Sequence, residues 1–150
     1  MDHITFNGGY KYQLKADYTT QIEINPAQRI ATDFIQLEVD GTLTLFKGYA
    51  WDGPSGPTID TLSFMRGSLI HDGLYQLFRE GHLDRLIYRD TADRILQRIC
   101  LEDGMWPIFA WLAYLGVHFF GAPSADPAND HPPIQAPRIR LKPQSAERIV

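Results

Sequence analysis

Residues 34–46 read FIQLEVDGTLTLF. Ile35, Leu37 and Val39 alternate with Gln36 and Glu38, and Leu43 and Leu45 resume the alternation after Asp40-Gly41. Period two on both sides of an Asp-Gly pair predicts an antiparallel hairpin closed by a type I′ turn, with one apolar face. Upstream, Tyr10, Tyr12 and Leu14 alternate with Lys11, Gln13 and Lys15, and Ile22 and Ile24 flank Glu23. The first third of the chain is therefore expected to form a small antiparallel sheet, solvated on one side.

Downstream the period changes. Gly48–Thr58, GYAWDGPSGPT, is a turn-rich loop, and after it Leu62, Met65, Leu69, Leu74, Leu77 and Phe78 follow helical spacing. Gly81 is the expected stop, with REGHLDR as the connection. A second helix is expected over Asp90–Glu102, burying Ala92, Ile95, Leu96 and Ile99 and ending before Gly104. A third covers Met105–Phe120, MWPIFAWLAYLGVHFF. At 1.5 Å per residue this stretch reaches about 24 Å, short of the ~30 Å hydrocarbon core of a bilayer. It also contains Pro107, Gly116 and His118, so a buried or membrane-surface helix is expected rather than a span.

After Gly121 the composition shifts, with six of the ten prolines in the last 29 residues and few large apolar side chains. The expected fold class is α+β: a small N-terminal antiparallel β-sheet, a three-helix region and an extended Pro-rich C-terminal tail. Residues 1–121 form one domain, β-rich over 1–48, a Gly/Pro loop over 49–60 and helical over 61–121. Residues 122–150 form an extended or flexible tail, suited to contacts with other proteins.

Bulk properties exclude some classes of function. A formal net charge of −4 with dispersed basic residues, apart from Arg138-Ile-Arg140-Leu-Lys142, argues against non-specific nucleic-acid binding, which needs a basic face. Cys100 is the only cysteine, so no internal disulfide can form, and the start MDHITFNGGYKY shows no basic segment followed by an apolar run. Synthesis in a reducing cytoplasm without a secretory signal is the expectation.

Chemistry concentrates in residues 69–78, LIHDGLYQLF, where two ionisable groups interrupt an apolar run. On a helix His71 and Tyr75 share a face, with Asp72 turned about 100° away. If the first two helices are antiparallel neighbours, Asp93 comes within hydrogen-bond reach of His71. A carboxylate on one imidazole nitrogen fixes the tautomer and leaves the other nitrogen to act as a base. Asp72 is then free for a hard cation, helped by carbonyls of the glycine-rich loop. Competing readings exist. The cluster can be a structural polar pair, Arg89 can take Asp93 into a helix-surface ion pair, and Asp52 can be a turn residue before Gly-Pro. His3 is the sole upstream histidine for an H…HD…D metal pattern. His82 and His118 are expected to be uninvolved, Cys100 to be core, and Trp51, Trp106 and Trp111 to pack, any exposed share forming an interface.

A glycine-rich loop, then H-D-x-x-Y, then an aspartate on an antiparallel helix resembles secreted phospholipase A2, with His71, Asp72, Tyr75 and Asp93 matching in order. The resemblance implies that His71 activates water and that Asp93 and Tyr75 orient it. It also implies that Asp72 and the loop oxygens at Tyr49, Trp51 and Gly53 hold calcium, with Asp52 as a further ligand. Absent disulfides, the two prolines in the loop and the N-terminal sheet depart from that family.

A broader resemblance, over about residues 46–121, is to an uncharacterised family of tailed phages and prophages, domain of unknown function 1353. It rests on GYAWDGPSGPTID, HDGLY, RDTAD and WLAYLGVHFFG. Together these imply a phage or prophage protein with a phospholipase A2-like site, a calcium-dependent ester hydrolase acting on phospholipid or another host-envelope component. The alternative is a non-enzymatic virion (tail or capsid-associated), assembly or lysis accessory protein in which the His-Asp cluster is structural.

Overall fold

The computed structural model describes Ile4 and residues 6–7, 12–53 and 62–130. His3, loop residues 54–61 and the chain beyond residue 130, with the expectations placed on them, lie outside the described residues. The architecture is α+β, with two small antiparallel sheets followed by three helices.

The first sheet joins β1 (Phe6–Asn7), β2 (Tyr12–Leu14) and β7 (Ala50–Trp51) in the order β1-β2-β7. The second joins β3 (Tyr18–Gln21), β4 (Ile30–Ala31), β5 (Ile35–Leu37) and β6 (Thr42–Leu45) in the order β3-β6-β5-β4. Within β5 and β6 alternate residues face inward, and Ile35, Leu37, Leu43 and Leu45 are all fully buried.

The β5–β6 hairpin forms, but its turn differs from the expected type I′. Leu37 pairs with Leu43, Gly41 N–H donates to Glu38 O at 3.0 Å, and Glu38 N–H donates to Thr42 O at 2.9 Å. The loop thus has three residues, with Gly41 alone at positive φ (87°). A type I′ turn would force Asp40 to positive φ as well; a longer loop with a left-handed glycine avoids that. Asp40 instead uses its carboxylate to accept the Thr42 N–H at 2.9 Å. The consequence falls on Val39, which lies in the turn and is exposed rather than on the buried face.

Helix α1 (Leu62–Arg79) packs on the sheets and carries most of the core: Leu69, Ile70, Leu74 and Leu77 are fully buried. Helix α2 (Arg85–Glu102) starts five residues before the sequence periodicity suggests. Asp84 caps it, accepting the Leu86 N–H at 2.8 Å, so the α1–α2 connection is only residues 80–84. So short a link makes neighbours of the two helices. Contacts Arg66–Asp103, His71–Asp93 and Tyr75–Arg89 descend α2 as they ascend α1, so the pair is antiparallel.

Helix α3 (Pro107–Phe120) buries only Ala110 and Ala113. Its large side chains point outward, Phe119 being 68% and Phe120 84% exposed. Among the described residues no helix is long and apolar enough to cross a membrane. Residues 122–129, expected to belong to the extended tail, are folded. Turns of 3-10 helix at Ala122–Ala125 and Pro127–Asn129 fold back on α1. Ala125 is fully buried, Arg79 donates to Ser124 O at 2.9 Å, and Arg85 pairs with Asp126 at 3.2 Å. One small buried alanine and two charged contacts anchor a segment that composition alone marks as coreless.

Candidate active site

His71 lies near the middle of α1 on the face toward α2. Its Nε2 is 2.8 Å from Asp93 Oδ1, and the Tyr75 hydroxyl donates to the same oxygen at 2.6 Å. The i, i+4 spacing places both rings on one face, and their centroids lie 4.1 Å apart. All three residues are buried, Asp93 completely. Burial first, then the hydrogen bond to Asp93, raise the Tyr75 phenol well above its ordinary pKa, so it stays a donor.

Arg89 does not bind Asp93. Its Nε donates to the Tyr75 hydroxyl at 3.2 Å, and its Nη2 donates to the Val117 carbonyl at 3.0 Å and to the His118 carbonyl. Arg89 thus caps the end of α3 and holds Tyr75 in place, leaving the Asp93 carboxylate to His71. The turn after α3 fits tightly here. A Cβ on Gly121 would lie 2.4 Å from Val117 O and 2.8 Å from the Tyr75 oxygen, so only glycine permits this approach.

His71, Asp72 and Tyr75 line a cleft of about 620 Å³. Another wall is α3, through Leu112, Gly116, Val117 and Phe120, and Trp51, Asp52, Gly53 and Arg79 also line it, Asp52 exposed and Arg79 partly so. With Nε2 engaged by Asp93, the ring nitrogen left for cleft chemistry is Nδ1. Leu112 and Phe120 line the cleft and are also exposed, so one apolar surface runs from the dyad to the outside of α3.

Asp72, half-buried, sits beside the exposed Asp52. Burial, and then the Asp52 charge, push its carboxyl up to about 7, against the opposing pull of Arg79 and a hydrogen bond from the Asp52 backbone. Tyr49 is buried nearby; burial and then the charge of Asp72 hold its phenol well above the ordinary value. The calcium-ligand set expected of the loop is only partly assembled. The Tyr49 carbonyl accepts the Leu14 N–H at 2.9 Å, and Trp51 pairs with Tyr12 in the β2–β7 ladder. The loop enters as a strand at Ala50–Trp51, and the Tyr49 oxygen just before it is turned toward β2. Among the described residues no group of three or more His, Cys, Asp or Glu side chains converges as a metal cage. Two neighbouring carboxylates, Asp72 raised first by burial and then by the Asp52 charge, still fit a hard divalent cation that keeps much of its water.

His118, expected to be uninvolved, lies beside Asp93. Its Nδ1 is 3.8 Å from Asp93 Oδ2 and 3.5 Å from Asp90 Oδ1. Tyr114 stacks on it at 5.3 Å between centroids. No local signal marks a histidine on an apolar helix as neighbour to a carboxylate 25 residues earlier; that depends on how α3 crosses α2. His82 is exposed and lies 3.6 Å from Glu80, away from the cleft. Cys100 is buried against Leu96 and Gly67, and burial pushes its thiol up to about 12, which suits packing rather than attack. Comparisons with protein-family models, curated proteins and solved structures returned no match.

Proposed function

We propose that this chain is a carboxylic-ester hydrolase of the phospholipase type, with His71 as general base and phospholipid of a host envelope as the substrate class. The observation that carries the reading is Asp93 Oδ1, which takes both His71 Nε2 and the Tyr75 hydroxyl behind the cleft that His71 and Tyr75 line. His71 Nδ1 accepts a proton from a water whose oxygen attacks the ester carbonyl. The same proton then passes to the leaving alkoxide. Asp93 and Tyr75 position the ring, and Asp93 stabilises the imidazolium between the two steps. A divalent cation at Asp72 and Asp52, calcium by the phospholipase resemblance, supplies polarisation of the carbonyl when bound. Arg79, which also lines the cleft, adds a positive charge suited to a phosphate-bearing substrate. A phage or prophage setting is part of the proposal and rests on the four ordered sequence motifs.

The test is calcium titration by calorimetry of the wild type and Asp72→Asn, with hydrolysis of mixed-micelle phospholipid by the wild type and His71→Gln. Expected are calcium binding lost in Asp72→Asn and turnover lost in His71→Gln, both variants keeping the wild-type circular dichroism. Absence of turnover by the wild type over a range of acyl-ester lipids with calcium present overturns the reading.

The exposed large side chains of α3 favour a second reading, a non-enzymatic virion or assembly component that uses this face to bind another phage protein. Retained association with a phage structural protein in the His71→Gln variant, without lipid turnover by either form, is the outcome it expects.

A further inference from the structure

Asp93 is 0% exposed, yet only Oδ1 has hydrogen-bond partners among the described residues; Oδ2 has none. His118 Nδ1, 3.8 Å away, is likewise buried and has none. A buried carboxylate oxygen without a donor costs more than almost any other polar defect, because the interior replaces none of its lost hydration. The remedy is an approach of His118 Nδ1 by about 1 Å, to hydrogen-bond length. Rotation of the imidazole about its broad χ2 torsion can supply much of it.

Asp90 competes for the same nitrogen at 3.5 Å but has less need of it. Its Oδ1 already accepts the Tyr114 hydroxyl at 2.9 Å, its Oδ2 accepts from Arg94 at 2.9 Å, and half of its side chain is in solvent. The remaining ionisable groups in this cluster are Tyr114, stacked on the ring, Arg94 over the Tyr114 ring, and Arg89, which bonds the His118 carbonyl.

We propose that His118 is a second imidazole on Asp93, donating from Nδ1 to Oδ2 and acting as a positioning residue for the His71–Asp93 pair. The carboxylate then receives three side-chain donors: His71 and Tyr75 from α1 and His118 from α3. Because α3 also forms the apolar wall of the cleft, the orientation of His71 is tied to the seating of the wall that meets substrate.

The catalytic part of this inference rests on the hydrolase reading; the hydrogen bond does not. The experiment uses the full chain with histidine ring nitrogens labelled by nitrogen-15. Long-range proton–nitrogen spectra are assigned through His71→Gln and His118→Asn. Expected is a protonated Nδ1 on His118 whose resonances shift in Asp93→Asn. Also expected is a change in the His71 Nε2–H resonance in His118→Phe, reversed in His118→Asn, whose amide can donate from the Nδ1 position. A bare Nδ1 on His118, or a His71 spectrum untouched by His118→Phe, overturns the proposal whether or not the protein turns over lipid. With turnover in hand, His118→Phe is expected to lower kcat roughly ten-fold with KM unchanged, the scale typical of losing a partner that orients a functional histidine, and His118→Asn to restore most of it. Equal kcat for the Phe variant and the wild type overturns the positioning role even if the hydrogen bond exists.

Discussion

The Tyr75 hydroxyl donates to Asp93 Oδ1 at 2.6 Å and accepts from Arg89 Nε at 3.2 Å, so one phenol joins the carboxylate of α2 to the cation that caps α3. Tyr75→Phe removes both bonds and leaves Arg89 Nε without that acceptor. A loss of about 1–3 kcal/mol in urea denaturation is expected, because a buried polar group loses its partner. If Tyr75 only fills space, the substitution costs almost nothing, and that result would remove it from the site.

Asp72 makes a prediction with the opposite sign. Its folded-state pKa of about 7 lies above the roughly 3.9 of an unfolded aspartate. Between those values the folded protein holds a proton that the unfolded chain has released, so stability falls as pH rises from about 4 to about 7 and then levels off. In EDTA at pH 8, Asp72→Asn is therefore expected to be more stable than wild type by about 1–3 kcal/mol, with most of its pH dependence over that window gone. Calcium should close the gap by stabilising only the wild type. Denaturation curves across pH decide it: equal or lower stability of the variant at pH 8 would mean that Asp72 is a paired structural carboxylate.

The fold was legible where one local rule acts alone. Alternation around Asp40-Gly41 identified the hairpin, and the 3.6-residue period identified α1. His71, Tyr75 and Asp93 were readable because i, i+4 spacing and a short connection between antiparallel helices nearly fix their distances. Elsewhere local rules competed. Asp40 was expected at positive φ, but a left-handed Gly41 and a capping carboxylate gave a lower-energy turn that carried Val39 out of the core. The start of α2 lies at the Asp84 cap, well ahead of the apolar stripe that begins at Ala92. His118 and the turns at residues 122–129 depend on how α3 crosses α1 and α2, and no spacing within one segment encodes a crossing. The glycine and proline content of residues 48–58 marks a loop, and nothing local shows that the Tyr49 carbonyl accepts the Leu14 N–H or that Ala50–Trp51 join a sheet.

A second buried charge locks the other end of the helix pair. Arg66 donates to both oxygens of Asp103 at 2.8–3.1 Å, to Glu102 at 3.0 Å and to the Tyr18 hydroxyl at 3.1 Å, joining α1 to the end of α2 and to β3. Arg66→Met leaves Asp103, largely buried, without its main counter-charge, and a loss of about 3–5 kcal/mol is expected. Arg66→Met with Asp103→Leu should recover most of that loss, because the desolvation cost of both ions disappears together. A double variant as unstable as the single one would show that the fork contributes geometry that apolar packing cannot replace.

Helix α3 inverts the usual arrangement, with alanines inward and aromatic residues outward. Ala110 is 0% and Ala113 7% exposed, while Phe109 is 54% and Phe119 68% exposed. Packing at the alanines sets how close α3 approaches the other helices, so Ala110→Leu must push the helix outward. It is expected to cost about 1–3 kcal/mol, the usual penalty for overpacking a filled contact. It should also widen the cleft and disturb the His118–Asp93 approach. Phe109→Ser and Phe119→Ser remove large side chains but little buried area, so stability should stay within about 0.5 kcal/mol of wild type. What those two serines should change is adhesion: binding to phosphatidylcholine vesicles, read by co-flotation, is expected to fall several-fold, since exposed aromatic surface on a helix without charges is what drives such contact. Serine variants that bind vesicles as well as wild type but lose stability by more than about 1 kcal/mol would mean the aromatic face is part of the fold. In that case the membrane-surface alternative expected for residues 105–120 fails.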